Sequence, residues 1–356
     1  MRSNWIRGVL GAAIVVLLVG VVILVVEVSR QDEPQPGPPE NAERVVVALG
    51  DSTMSGEGAG DYTNRTNGRN GNWCHRSPNA SIESVDIPGV DRAINLACSG
   101  APSEQVGLGE TKQYTEESQA ARLGELAKKY RVVAVAVATG ANDEPKFSHL
   151  VNQCVQAWAN QRGDGCSKQI RQDWQGRIDA MQPKVVSALQ DVQQVMSDAN
   201  YDEDDYDLVL QSYAAPLSPD IPNSLQGLVG CPFRTEDLRW VRDEAMPALT
   251  AALREAAEET DTRFLDLSRS ARGNEACSGG ADDSTEWFTR LTVQWEDLND
   301  EERVQHVLQE SFHPNARGAA QFGRCLSDFL NNTDDQAACL KDQKGQLRAV
   351  ATIGAD

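Results

Sequence analysis

Four polar residue types that together can cleave an ester recur in short segments of this chain. Ser52 closes the stretch Gly50-Asp51-Ser52, Gly100 follows Cys98-Ser99, Asn142 lies in Gly140-Ala141-Asn142-Asp143, and His313 lies in Glu310-Ser311-Phe312-His313-Pro314-Asn315. A serine hydroxyl is a weak nucleophile until a base takes its proton, and histidine is the usual base. Attack on a carbonyl also needs donors aimed at the oxyanion that forms. Gly100 has no side chain to block approach to its backbone N–H. Asn142 offers a side-chain N–H, and Glu310 could orient the imidazole from three residues upstream. Each segment alone reads as a turn or a helix start; the joint occurrence carries the catalytic reading. Asp51 and Asp143 read as loop-tying carboxylates that accept backbone N–H bonds. The other three of the four histidines, His75, His149 and His306, stand in no comparable company.

Five short apolar runs precede or lie between these segments: Val45–Leu49, Ala93–Ala97, Val132–Ala138, Leu208–Tyr213 and Phe264–Leu267. They lack clean alternation, as strands covered on both faces do. Helical patterns lie between them. Glu116–Tyr130 is amphipathic, and apolar residues recur at helical spacing from Ile170 through Trp174 to Met196. Pro183 should kink that helix. Leu238–Ala257 and Ala316–Leu330 read as two more helices. Alternating strands and helices predict an α/β fold with a parallel sheet between helical layers. Ligands of such sheets bind beyond the carboxyl ends of the strands. The Ser52, Gly100 and Asn142 segments each follow a strand, and the His313 segment precedes the last helix.

These four segments resemble the blocks of the SGNH (GDSL-type) serine hydrolases, named for Ser, Gly, Asn and His. The resemblance runs from Val45 to about Leu330. "NWCHRSPNA" at Asn72–Ala80 and "SFHPNARG" at Ser311–Gly318 are similar to the secreted, disulfide-bearing lipase and esterase branch. It implies a flavodoxin-like three-layer sandwich with a five-stranded parallel sheet. It also implies Ser52 as nucleophile, His313 as base, and an oxyanion hole of the Ser52 N–H, the Gly100 N–H and the Asn142 amide. Two positions depart from the pattern: Thr53 stands where leucine is usual, and Glu310 where aspartate is usual. Some relatives orient the histidine through a backbone carbonyl instead, so Glu310 and a carbonyl both stand as its partner.

The chain's 356 residues read as one domain over 44–340, after a membrane anchor at 1–30 and a Pro-rich linker at 31–43, and before a tail at 341–356. Gly8–Val26 is an apolar run of about 19 residues, enough to span a bilayer. Arg2 and Arg7 precede it, which predicts a cytoplasmic N-terminus and an extracytoplasmic domain. A cleaved signal peptide, giving a secreted protein, is the competing reading. The eight cysteines (Cys74, Cys98, Cys154, Cys166, Cys231, Cys277, Cys325 and Cys339) read as disulfides in an exported domain. Eight allow 105 connectivities; sequential pairing closes the shortest loops, and the branch's local pairing supports it. No metal spacing is present, and neither a metal nor another cofactor is expected. A formal net charge of −20 argues against a nucleic-acid partner. The acidic run Asp202–Asp205 reads as a solvated loop.

The expected function is a membrane-tethered serine esterase or lipase acting on lipid, glycan or small esters. An acyltransferase with the same site and a non-catalytic binding domain on the same fold are the alternatives. The segments Ala214–Arg234 and Ser268–Asp300 could wall the substrate pocket. Trp287, Phe288 and Trp295 in the latter read first as packing beneath a long loop and second as an acyl pocket.

Overall fold

The apolar runs form the central strands. The computed structural model describes residues 37–294 and 306–352. In chain order its helices and strands are β1 (Arg44–Gly50), α1 (Ser52–Ser55), β2 (Arg92–Asn95), α2 (Ser103–Val106), α3 (Gln119–Ala127), β3 (Arg131–Ala138), α4 (Phe147–Ala159), α5 (Cys166–Ile170), α6 (Trp174–Asp198), β4 (Asp207–Gln211), α7 (Thr235–Trp240), α8 (Met246–Glu259), β5 (Arg263–Asp266), α9 (Ala316–Leu330), β6 (Gln336–Lys341) and β7 (Leu347–Ala351). One sheet runs in the order β2-β1-β3-β4-β5-β6-β7. Strands β1 to β6 are parallel, and β7 pairs antiparallel to β6. The 2-1-3-4-5 order of the first five is the flavodoxin-like arrangement, whose direction reverses beside β1. Helix α6 packs against α2, α3 and α8, while α9 packs against β6, β7 and the turn Ser81–Ser84.

Two strands exceed the five expected. β6 and β7 extend the sheet into residues 341–356, which the sequence reading treated as a tail. Their sequences, QAACLK and LRAVA, are alanine-rich with little β-branched content, so propensity gives them little weight. Cys325–Cys339 bonds α9 to β6 and thereby anchors the hairpin to the domain. The other sulfurs are bonded as Cys74–Cys98, Cys154–Cys166 and Cys231–Cys277.

The helical stripe from Ile170 is broken into two elements. Ile170 ends α5, and α6 starts at Trp174 and continues through Pro183 to Asp198. Pro183 therefore does not divide the helix. A proline removes one N–H, and the packing of the buried Met181, Val185 and Leu189 outweighs that loss. The segment before α8 runs on from α7 through a π-helical turn at Val241–Ala245. The Gly8–Val26 run lies outside the described residues. Among those described, no helix is long and apolar enough to cross a membrane.

Gly50 joins the fold to the site. It ends the central strand at φ +134°, and a Cβ there would fall on the backbone carbonyl of Ala138 in neighbouring β3. Only glycine fits both the torsion and the approach. Gly50→Ala should destabilise the domain by about 2–4 kcal/mol, measured as a lowered midpoint in urea unfolding with disulfides intact.

Candidate active site

β1 delivers its last residues to the edge of the core, where Gly50 is locked in place. The buried Gln119 amide accepts from Gly50 N at 2.7 Å and donates to Gly50 O at 2.9 Å, and Asp51 N donates to Ala138 O at 3.1 Å. Asp51 caps α1: its carboxylate accepts from Thr53 N at 3.0 Å. The Tyr213 hydroxyl, just past β4, donates to the other Asp51 oxygen at 2.5 Å. Burial pushes the Asp51 pKa up to about 7, against these hydrogen bonds. The sequence reading of Asp51 as a tie for the loop matches this geometry.

This turn holds Ser52 half-buried at the start of α1, and His313 meets it. The Ser52 Oγ lies 2.8 Å from His313 Nε2, and His313 Nδ1 lies 3.1 Å from the carbonyl oxygen of Ser311. A carbonyl only accepts, so Nδ1 carries the proton and Nε2 is left to accept from the serine hydroxyl. Burial lowers the His313 pKa below its usual 6.5, and the negative charge of Glu57 acts in the opposite direction. The ring is therefore neutral at neutral pH.

The loop carrying His313 is fixed by its own backbone. Thr289 N donates to His313 O at 2.9 Å, and Phe312 N donates to Thr289 O at 3.2 Å. Phe312 takes φ +61° and packs its ring against Phe233 at 5.1 Å between centroids. Asn315 then caps α9, accepting from Arg317 N and Gly318 N at 3.0 Å each. Glu310 does not take part as the sequence allowed. Its carboxylate accepts from Gln294 Nε2 at 2.7 Å, and His313 Nδ1 faces Ser311 O, the backbone alternative. The backbone takes the place of the acid because the positive φ at Phe312 folds the chain so that Ser311 O reaches Nδ1.

The Gly100 and Asn142 segments converge on the same edge. Gly100 adopts φ +79°, which a side chain rarely tolerates. Neither the Ser52 nor the Gly100 backbone N–H has a partner among the described residues. Asn142 follows β3 and donates from Nδ2 to Ala101 O at 3.2 Å, beside Gly100. Asp143 accepts from Ser103 N and, at 2.6 Å, from Ser103 Oγ. That position fits the reading of Asp143 as a tie.

Sequence reasoning passed over Glu57. Its side chain is fully buried, yet it gathers His75 Nδ1 at 2.8 Å, Ser99 Oγ at 2.6 Å, Gln309 Nε2 at 2.7 Å and Tyr62 OH at 3.3 Å. Burial would raise its pKa, but the contacts with His75 and Ser99 and the His313 charge hold it below the usual carboxylate value. His75 is thus not the unaccompanied residue it looked to be; it also stacks on Tyr62 at 4.0 Å. An acid between two glycines, Gly56 and Gly58, was the available signal. Trp287 and Phe288 pack on Phe322 beneath the loop, which favours the first of their two readings. Trp295 lies outside the described residues.

A parallel α/β sheet with a serine–histidine pair at the carboxyl ends of its strands defines the class as a serine-hydrolase fold. A model of the GDSL-like Lipase/Acylhydrolase family matches residues 48–321, and the chain belongs to that family of carboxylic-ester hydrolases. Among solved structures it is similar to phospholipase A1 from Streptomyces albidoflavus NA297, with a TM-score of 0.53 and 21% identity over 78% of this chain and 95% of that one. It is also similar to an extracellular lipase from Streptomyces rimosus, with a TM-score of 0.49 and 20% identity over 78% and 94%. Among curated proteins, no sequence matches the chain.

Because Ser311 O and not Glu310 meets the ring, Glu310→Gln should lower kcat/KM for a p-nitrophenyl ester by less than about tenfold, far below the loss of 10⁴-fold seen when a triad carboxylate is neutralised. Steady-state kinetics on the purified variant check this.

Proposed function

We propose that this protein hydrolyses carboxylic esters outside the cytoplasm through an acyl-enzyme on Ser52, with His313 as general base. The observation that carries the reading is the 2.8 Å contact between Ser52 Oγ and His313 Nε2, with Nδ1 held by Ser311 O. Ser52 Oγ attacks the ester carbonyl while its proton passes to Nε2. The oxyanion formed is stabilised by the N–H groups of Ser52 and Gly100 and by the Asn142 amide. The imidazolium then gives its proton to the leaving alcohol, and the acyl group stays on Ser52. A water repeats the sequence: His313 takes its proton, the hydroxide attacks the ester carbon, and Ser52 leaves with the proton restored. Burial raises the Asp51 pKa to about 7, so this carboxyl is only partly ionised at neutral pH.

The four disulfides support an oxidising compartment. The apolar run Gly8–Val26, with Arg2 and Arg7 before it, supports attachment to a membrane with the catalytic domain outside.

Ser52→Ala in the full-length, oxidised protein should lower p-nitrophenyl ester hydrolysis on the order of 10³-fold or more and abolish labelling by a fluorophosphonate probe. A folded wild type that neither hydrolyses nor labels would contradict the proposal. The pH profile gives a second check. His313 must be neutral to act as base, and its pKa is lowered, so kcat/KM should hold as pH falls to 6.5 and decline only below it. A decline centred above 6.5 would assign the base elsewhere.

A further inference from the structure

We infer that Glu57 is a positioning residue for this reaction: a buried anion that ties the nucleophile, oxyanion and base segments together and faces the charge that forms on His313. The inference rests on the hydrolase reading above. Its basis is geometric. Glu57 follows α1 by two residues and so moves with Ser52. Its Oε2 accepts from Ser99 Oγ at 2.6 Å, and Ser99 adjoins Gly100. The same oxygen accepts from Gln309 Nε2 at 2.7 Å, and Gln309 lies four residues before His313. Both carboxylate oxygens lie within 2.8 to 3.0 Å of His75 Nδ1, and Tyr62 OH contacts Oε1 at 3.3 Å. Gln309 Nε2 also reaches Trp73 O at 3.1 Å. One carboxylate thus holds all three segments through hydrogen bonds that end on a single buried group.

The loop also touches the base directly. Gly58, the next residue, sits so close that a Cβ there would lie 2.9 Å from His313 Cβ. A carboxylate fully removed from solvent is weakly screened. When Nε2 accepts the serine proton the ring becomes positive, and its Nδ1 partner is an uncharged carbonyl. Glu57 supplies the opposite charge that a triad acid would supply through contact. The other ionisable groups around this pair include His75 and Tyr62 beside Glu57, Tyr114 from the loop before α3, Glu310 on the His313 loop, and His306, whose Nδ1 lies 2.6 Å from Gln309 Oε1. His75 opposes the charge of Glu57 on His313, while Glu310 acts with it. Burial of Glu57 between Gly56 and Gly58 has a further consequence. A carboxylate so enclosed is costly unless it is fully bonded, and its four donors meet that requirement.

Removal of the charge and removal of the tether give different signatures. Glu57→Gln keeps the side-chain length and loses the charge. Gln309→Ala keeps the charge and cuts the link to the His313 loop. In the full-length oxidised protein, Glu57→Gln should lower kcat at least about tenfold with KM within about twofold, and should move the acid limb of the pH profile to lower pH. That direction follows because the Glu57 charge raises the His313 pKa. Gln309→Ala should lower kcat by a few-fold and leave the acid limb in place. Rates of fluorophosphonate labelling should follow kcat in both. A folded Glu57→Gln with wild-type kcat overturns the inference, as does a fall in kcat with the acid limb unmoved, because a merely structural group would give that result. If Glu57→Gln does not fold, wild-type kcat in Gln309→Ala overturns it. Failure of the wild type itself to label removes the hydrolase reading and this inference together; labelling with unchanged variants removes this inference alone.

Discussion

A hydrogen bond between groups 261 residues apart is the contact on which the site depends. Ser52 leaves the first strand of the sheet, and His313 precedes the last helix. Proton transfer requires them within about 3 Å, so the whole sheet must hold the two ends in register. Most of the local structure serves that distance. Gly50 lets β1 pass against Ala138, Gln119 clamps Gly50 from both sides, and Asp51 caps the short helix that carries the serine. On the other side, Thr289 pairs with the His313 loop, and Asn315 starts α9. The Cys74–Cys98 bond joins the two segments that bring His75 and Ser99 to Glu57.

Burial sets the electrostatics. Burial shifts several ionisable groups near the pair. Asp51 meets Tyr213 and Thr53 N and is pushed toward protonation. Asp143 is raised as well, against the hydrogen bonds from Ser103. Glu57 is the exception: its donors keep it anionic in a place where a bare carboxylate would not be. Glu57 is thus held below the usual carboxylate value while burial raises Asp51 and Asp143. A histidine oriented by a carbonyl needs some compensation of that kind when it becomes positive.

The sequence was most informative where one residue type is required by local geometry. Gly50, Gly100 and the polar segments after β1 and β3 were readable because strand ends and left-handed torsions admit few residues. Val45–Leu49 and Val132–Ala138 were readable as strands because an apolar run in both-face burial admits little else. Ala316–Leu330 was readable because its apolar stripe is sharp. The partner of His313 was legible only as two alternatives, Glu310 or a backbone carbonyl, since a carbonyl leaves no residue type to recognise. Glu57 was hidden for a related reason: three of its four donors, His75, Ser99 and Gln309, come from distant positions, none of them marked by spacing. The alanine-rich β6 and β7 were missed because tertiary pairing, not propensity, makes them strands.

Ser311 O fixes His313 as a neutral ring protonated at Nδ1. The chain has four histidines, so imidazole nitrogens can be resolved by long-range proton–nitrogen correlation NMR on uniformly nitrogen-15-labelled protein at pH 7, with His313→Gln to assign the signal. The expected His313 pattern has Nδ1 protonated and Nε2 bare. A ring protonated at Nε2, or at both nitrogens, at that pH would contradict it.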